Sequence, residues 1–237
     1  MRRFVSVGCV VGPQLMPQLK PWMTALLAAW LMLLVAWWAG AAAAQTLSRE
    51  QALRQLSSKS ADLRSAAVRR LGDIGRFADS TVLVKRLTDE DEDTRGAAEA
   101  ALWALWSRSG DARVDALFKQ GVSQMNAAGV EAAVATFTEV IRIKPDFAEG
   151  WNKRATVLFF QKRYTESLAD CDEVIKRNPN HFGALSGYGQ IYAQLKEWDK
   201  ALEYFERALA INPNMTGVAQ SVESLRRLIA QQRRSAT

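Results

Sequence analysis

The chain has 237 residues, 49% of them apolar and 24% charged, with a formal net charge of +6; this length allows one sizeable domain or two small ones. Three basic residues, Arg2, Arg3 and Lys20, lie before or at the start of a long apolar run, and the chain after it carries 28 Lys+Arg against 25 Asp+Glu. That near balance excludes the clustered basic footprint of a nucleic-acid binder.

The first 44 residues read as a targeting segment. A positive flank, an apolar stretch from Trp22 to Ala44 and the small-residue exit Ala42-x-Ala44 describe a secretory signal peptide, with cleavage expected before Gln45. The apolar stretch is also long enough to span a bilayer as an uncleaved anchor. Met16 offers an alternative start. The Arg2-Arg3 pair lies far from the apolar core and lacks a twin-arginine context, and Cys9 precedes the core, which argues against a lipoprotein. Cys171 then remains as a single cysteine that cannot close an internal disulfide, so packing alone must hold the exported chain together.

Two periodicities organise the remainder. "DLRSAAVRRLGDI" (62–74) and "DTRGAAEAALWAL" (93–105) align at an offset of 31, pairing Asp62 with Asp93, Arg64 with Arg95 and Leu71 with Leu102; Leu56 and Leu87 align in the preceding helices. Ser48-x-x-Gln51 opens the first helix with a capping box. Residues 48–110 resemble a pair of HEAT-like repeats. The resemblance implies that each Asp caps a second helix and each Arg reaches a neighbouring repeat. Two such units bury little surface alone, so they are expected to pack directly on the first of the repeat units that follow, with Trp103, Trp106 and Leu117 at the seam.

Downstream, Pro145, Pro179 and Pro213 recur at intervals of 34. Small residues recur in register at Ala133, Ser167 and Ala201 and at Gly121, Ala155 and Gly189, and bulkier fillers at Phe137, Cys171 and Phe205. Residues 114–215 therefore resemble three tetratricopeptide repeats, units of helix, turn and helix. The third, 182–216, matches best; the first has Gln124 where an aromatic is usual. After them Val218, Val222, Leu225 and Ile229 stand at helical spacing, the pattern of a capping helix with one wet face. The expected fold is all-α: an α-solenoid of two HEAT-like helix pairs, three tetratricopeptide helix pairs and a C-terminal capping helix at 216–237.

No catalytic constellation emerges. "GYGQIY" has Tyr192 where a dinucleotide-binding loop needs its last glycine, and "ALSGY" lacks both glycines of a nucleophile elbow. "DEDED" (89–93) lacks the glycine and trailing glutamate of a calcium loop. His181 has no ligand partner at metal spacing and reads as a surface residue at a turn. Cys171 reads as a buried, inert thiol; a thiol-dependent hydrolase or redox protein using Cys171 and His181 is the alternative from another class. No metal or cofactor is expected.

The resemblance implies a concave groove lined by the first helix of each repeat. In that register Phe118, Lys119, Val122, Met125 and Asn126 come from the first repeat, and Glu149, Asn152, Lys153, Thr156, Phe159 and Phe160 from the second. Gly183, Ser186, Gly187, Gln190 and Gln194 come from the third. One of the adjacent pair Phe159 and Phe160 is expected to pack between repeats and the other to face outward. Gly183 and Gly187 weaken a helix without evident packing benefit, and are expected to leave room for a ligand backbone. The positions of the family's two-carboxylate clamp hold Phe118, Val122, Lys153, Gly183 and Gly187, so chaperone-tail binding is disfavoured. The expected function is a non-enzymatic scaffold that binds a protein or extended peptide in a bacterial periplasm. The alternative is a membrane-anchored envelope assembly factor.

Overall fold

The structure is a computed structural model that describes residues 47–127 and 129–235; the expected signal segment and its cleavage site lie outside the described residues. Eleven α-helices and no strand occur among the described residues. The N-terminal part contains α1 (Arg49–Gln55), α2 (Ala61–Ile74), α3 (Ser80–Val84, between two short 3-10 turns) and α4 (Glu92–Trp106). Three helix pairs follow: α5 (Ala112–Asn126) with α6 (Val130–Ile143), α7 (Ala148–Phe160) with α8 (Tyr164–Arg177), and α9 (Phe182–Gln194) with α10 (Trp198–Ile211). The last helix is α11 (Thr216–Ser235).

Local chemistry sets the boundaries. Ser48 and Gln51 form the expected capping box on α1. The caps of α2 and α4 are Ser60 and Asp91 rather than Asp62 and Asp93. Asp62 and Asp93 instead sit in the first turn, where a carboxylate favours the helix N-terminus through the dipole alone. Each of the three repeats joins its helices through the same turn: Gly129, Arg163 and Glu197 donate their backbone N–H to Gln124, Leu158 and Tyr192 across the helix end. This six-to-one bond marks a Schellman ending. The two lysines just before it, Lys162 and Lys196, accordingly adopt left-handed φ of 60° and 61°.

Inside the repeats, small residues let rings approach helix backbones. A Cβ on Gly121 would lie 2.7 Å from Phe137, and one on Gly189 would lie 2.5 Å from Phe205. In the second repeat Cys171 stands where its neighbours have a ring and packs in one cluster with Ala155, and Ser167 donates its hydroxyl to the Ala155 carbonyl at 2.7 Å. α11 buries Val218, Val222, Leu225 and Ile229, the stripe its sequence dictates, and the first three pack on Ala201 and Phe205 of the third repeat.

The N-terminal helices meet the repeats at a different place from the one expected. Leu117 packs within the first repeat. Trp103 and Trp106 of α4 pack instead on Phe182 at the start of α9, and the same core takes in Ile211 and Met215 from the third repeat's exit turn. Polar bonds follow that line. Arg95 Nε donates to Asn214 Oδ1 at 3.2 Å, Asn214 Nδ2 to the Leu87 carbonyl at 2.7 Å, and Asn212 Nδ2 to Glu99 at 3.1 Å. The seam follows the inter-repeat turns because these present side-chain amides that can bond outward, Asn212 and Asn214, and the first apolar side chain of a helix, Phe182. Both arginines do reach a neighbouring unit: Arg64 pairs with Asp89 at 2.7 Å, and Arg95 reaches the third repeat.

Two adjacent alanine substitutions on α9 separate packing from propensity. Gly189→Ala drives a methyl into Phe205 and is expected to lower stability by about 1–3 kcal/mol. Gly187→Ala meets only Cys171 Sγ at 3.8 Å and is expected to raise it by about 1 kcal/mol through helix propensity. Urea unfolding of the two variants checks both signs.

Candidate functional site

The residues expected to line a groove fall into distinct environments. In the first repeat, Phe118 is buried, its ring 5.9 Å from Phe137 and 5.3 Å from Phe147, with Val122 and Met125 half-buried beside it. Val114, Phe118, Val122 and Met125 form one apolar face of α5, and that face turns into the repeat's own core. The expectation that Phe118, Val122 and Met125 face a ligand is therefore corrected. Lys119 and Asn126 remain exposed on α5, outside the cavity described below.

Glu149 and His181 are also corrected, and together they form the most constrained point of the molecule. Both are fully buried, at 0% exposure. His181 caps α9: its Nδ1 accepts the Ala184 backbone N–H at 3.0 Å. That bond places the ring proton on Nε2, which donates to Glu149 Oε2 at 2.8 Å. Asn152 Nδ2 donates to the same carboxylate at 3.1 Å, and Lys153 Nζ lies 3.1 Å from its other oxygen. Burial pushes the Glu149 carboxyl up, but the bond from His181 and the Lys153 ammonium outweigh it and hold it below the usual carboxylate range. Trp106 stacks on the His181 ring at 4.6 Å, and Trp103 meets it edge-on at 5.5 Å.

Gly183 belongs to the same junction. A Cβ there would lie 2.5 Å from the far edge of Trp103, so Gly183 admits the protein's own tryptophan rather than a ligand backbone. Lys153 Nζ sits 5.7 Å from the Trp103 ring centre, an ammonium facing an aromatic. Trp103 therefore covers two of the family's five clamp positions, Lys153 and Gly183, and leaves Gly187 open. The sequence had no signal for this. Tryptophan at 103 reads as core on any helical wheel, and only the fold reveals which helix it meets.

Beyond Trp103 a cavity of about 160 Å³ remains between α7 and α9. Asn152, Thr156, Phe159, Phe160, Gly183, Gly187 and Gln190 border it, with Ala155, Cys171 and Ile191 among the deeper lining. Phe159 is half-buried against Tyr164, while Phe160 is 67% exposed, the division expected for adjacent positions. Gly187 keeps the cavity open. Ser186 is buried and accepts a 3.4 Å hydrogen bond from the Gln190 side-chain amide, and it does not border the cavity. Gln190 and Phe159 also border a second hollow, which runs past Gln194 to Gln220, Ser221 and Ser224 of α11. The α11 residues were missed, although the apolar stripe of that helix leaves them on its adjoining face.

Cys171 is buried at the cavity floor. Burial, with Asp170 and Asp172 adding to it, pushes its thiol up to about 12. Such a thiol holds almost no thiolate at neutral pH. Among the described residues no group of three or more His, Cys, Asp or Glu converges as a metal site would require. No described helix is long and apolar enough to cross a membrane.

Stacked helix pairs with a shared inner face and a capping helix define a helical-repeat protein. The profile of the tetratricopeptide repeat matches residues 118–180 and 152–216. A TPR repeat-containing protein of Rhizobium etli is 33% identical over 147 residues, which cover 62% of this chain and 71% of that protein. The chain belongs to the tetratricopeptide repeat family. It is also similar to Hsp70-Hsp90 organizing protein 1 of Glycine max, 28% identical over 97 residues, 39% of this chain and 17% of that protein. The crystal structure of the Sgt2 TPR domain from Aspergillus fumigatus shares the fold, with a TM-score of 0.51 and 19% identity over 54% of this chain and 85% of that domain.

Two outcomes test this chemistry. Glu149→Gln is expected to lower stability at neutral pH by about 1–3 kcal/mol. A depressed folded-state pKa gives stability that is present above the ordinary value of 4.5 and lost as pH falls through the folded value. The gap between wild type and variant should therefore close only in acid, as read by urea unfolding across pH. Native Cys171 should resist iodoacetamide at neutral pH and react on unfolding, as mass spectrometry would show.

Proposed function

We propose that this chain is a non-enzymatic scaffold that holds another protein's extended segment in the groove formed by α7, α9 and α11. The observation that carries this reading is the open cavity beside Gly187, bordered by an exposed Phe160 and side-chain amides. Aromatics anchor a bound chain and amides pair with its backbone. Family membership supports it, as does the likeness to a protein named for organising Hsp70 and Hsp90. The buried, protonated Cys171 thiol and the structural commitment of His181 both weigh against the thiol-enzyme alternative.

The place of action we propose is the bacterial cell envelope. The basic flank, apolar stretch and small-residue exit of residues 1–44 support export, and the relative from Rhizobium etli is bacterial. Retention of that stretch would make the same scaffold a membrane-tethered assembly factor.

Affinity capture from envelope extracts tests the groove. Gly187→Trp is expected to abolish the captured set, while Gly96→Trp, at an open site on α4, leaves it intact; an identical set from both variants would refute the reading. N-terminal sequencing of protein recovered from cells should begin at Gln45, and a retained N-terminus would favour the tethered form.

A further inference from the structure

The groove is uncharged. None of the side chains bordering the cavity or the adjoining hollow among the described residues is Asp, Glu, Lys, Arg or His, in a chain of which 24% is charged. The polar groups there are amides and hydroxyls; the Asn152 amide is given to Glu149 and the hydroxyls of Ser167, Ser221 and Ser224 to backbone carbonyls, which leaves Gln190, Gln194 and Gln220 as the amides that face a ligand. The nearby cation on α7, Lys153, is already committed, its ammonium 3.1 Å from the buried Glu149 carboxylate and facing Trp103. Thr156 spends its hydroxyl proton on the Asn152 carbonyl at 2.9 Å and presents its oxygen only as an acceptor.

We infer that the occupant is a neutral, internal stretch of extended polypeptide that seats one apolar side chain in the cavity over Gly187 and Cys171. This rests on the groove reading above and specifies its ligand. A charged side chain entering a hollow with no counter-charge would lose its hydration without replacement. A C-terminal carboxylate would meet the same penalty, because no cation borders the cavity and Lys153 is turned to Glu149 and Trp103. Amides, in contrast, donate to and accept from a peptide backbone without regard to its sequence. The volume of about 160 Å³ and the apolar deep lining suit a side chain of leucine, methionine or phenylalanine size. Exposed Phe160 closes over its outer edge.

Fluorescence anisotropy with short acetylated and amidated peptides tests this, each built from Ser, Asn and Gln around one Leu, Met or Phe. Binding is expected to change less than about twofold between low and high salt. It should weaken about tenfold or more when the central residue becomes Ala, and be lost in Gly187→Trp with helicity retained. Tighter binding of acidic or free-carboxylate peptides, with strong salt dependence, would overturn the ligand assignment while leaving the groove reading standing. Sedimentation showing dimers that Gly187→Trp abolishes would overturn it in favour of a second copy. Absence of binding by every peptide class would overturn both.

Discussion

A carboxylate with no exposed surface survives in a protein only if each of its lone pairs is answered, and here that requirement falls on Glu149. Its partners come from its own helix, Asn152 and Lys153, and from the turn before α9, His181. His181 is in turn fixed by the backbone of α9 on one nitrogen and by the faces and edges of Trp103 and Trp106. One buried charge thus ties the second repeat, the third repeat and the N-terminal helices together. Spacing, tilt and seam all have to satisfy it at once.

The consequences reach the groove. Because the N-terminal helices dock along the turns of the repeats, Trp103 is delivered onto Gly183 and across Lys153. The repeats' inner face is narrowed at that end, and the cation that could have met an anionic ligand is turned to an internal partner. Past that point, α7, α9 and α11 present amides, hydroxyls and two phenylalanines around open space. A binding surface and a structural junction share the same helices, separated by a single turn of α9: Gly183 on one side, Gly187 on the other. Identical residues serve opposite ends, one admitting an internal ring and the other leaving room.

The repeat architecture was legible because its signals are local. Proline every 34 residues, a small residue facing an aromatic, and an apolar stripe on the last helix each follow from helix geometry and need no knowledge of the rest of the fold. The seam was legible only in part: Trp103 and Trp106 were expected there and do lie there, but against Phe182 of the third repeat rather than on the first repeat. Glu149 and His181 are polar and lie 32 residues apart; nothing local marks either for burial, which rests on their mutual bond together with those from Asn152, Lys153 and the α9 backbone. Phe118 misled for the opposite reason. The family register assigns its position to the groove, while its own spacing with Val114, Val122 and Met125 assigns it to the core, and burial of apolar area decided the matter. Of the residues expected in the second and third repeats' groove, Thr156, Phe159, Phe160, Gly187 and Gln190 border the open cavity between α7 and α9, and none of them is drawn into the Glu149 junction.

If the Glu149 junction governs the molecule, the N-terminal helices cannot open while the repeats stay closed. Native-state hydrogen exchange followed residue by residue measures this directly. The expected result is a shared opening free energy for the central amides of α2, α4, α7 and α9, all falling together in Trp106→Ala. Opening of α2 and α4 at markedly lower free energy, with α7 and α9 unaffected by the substitution, would contradict the account.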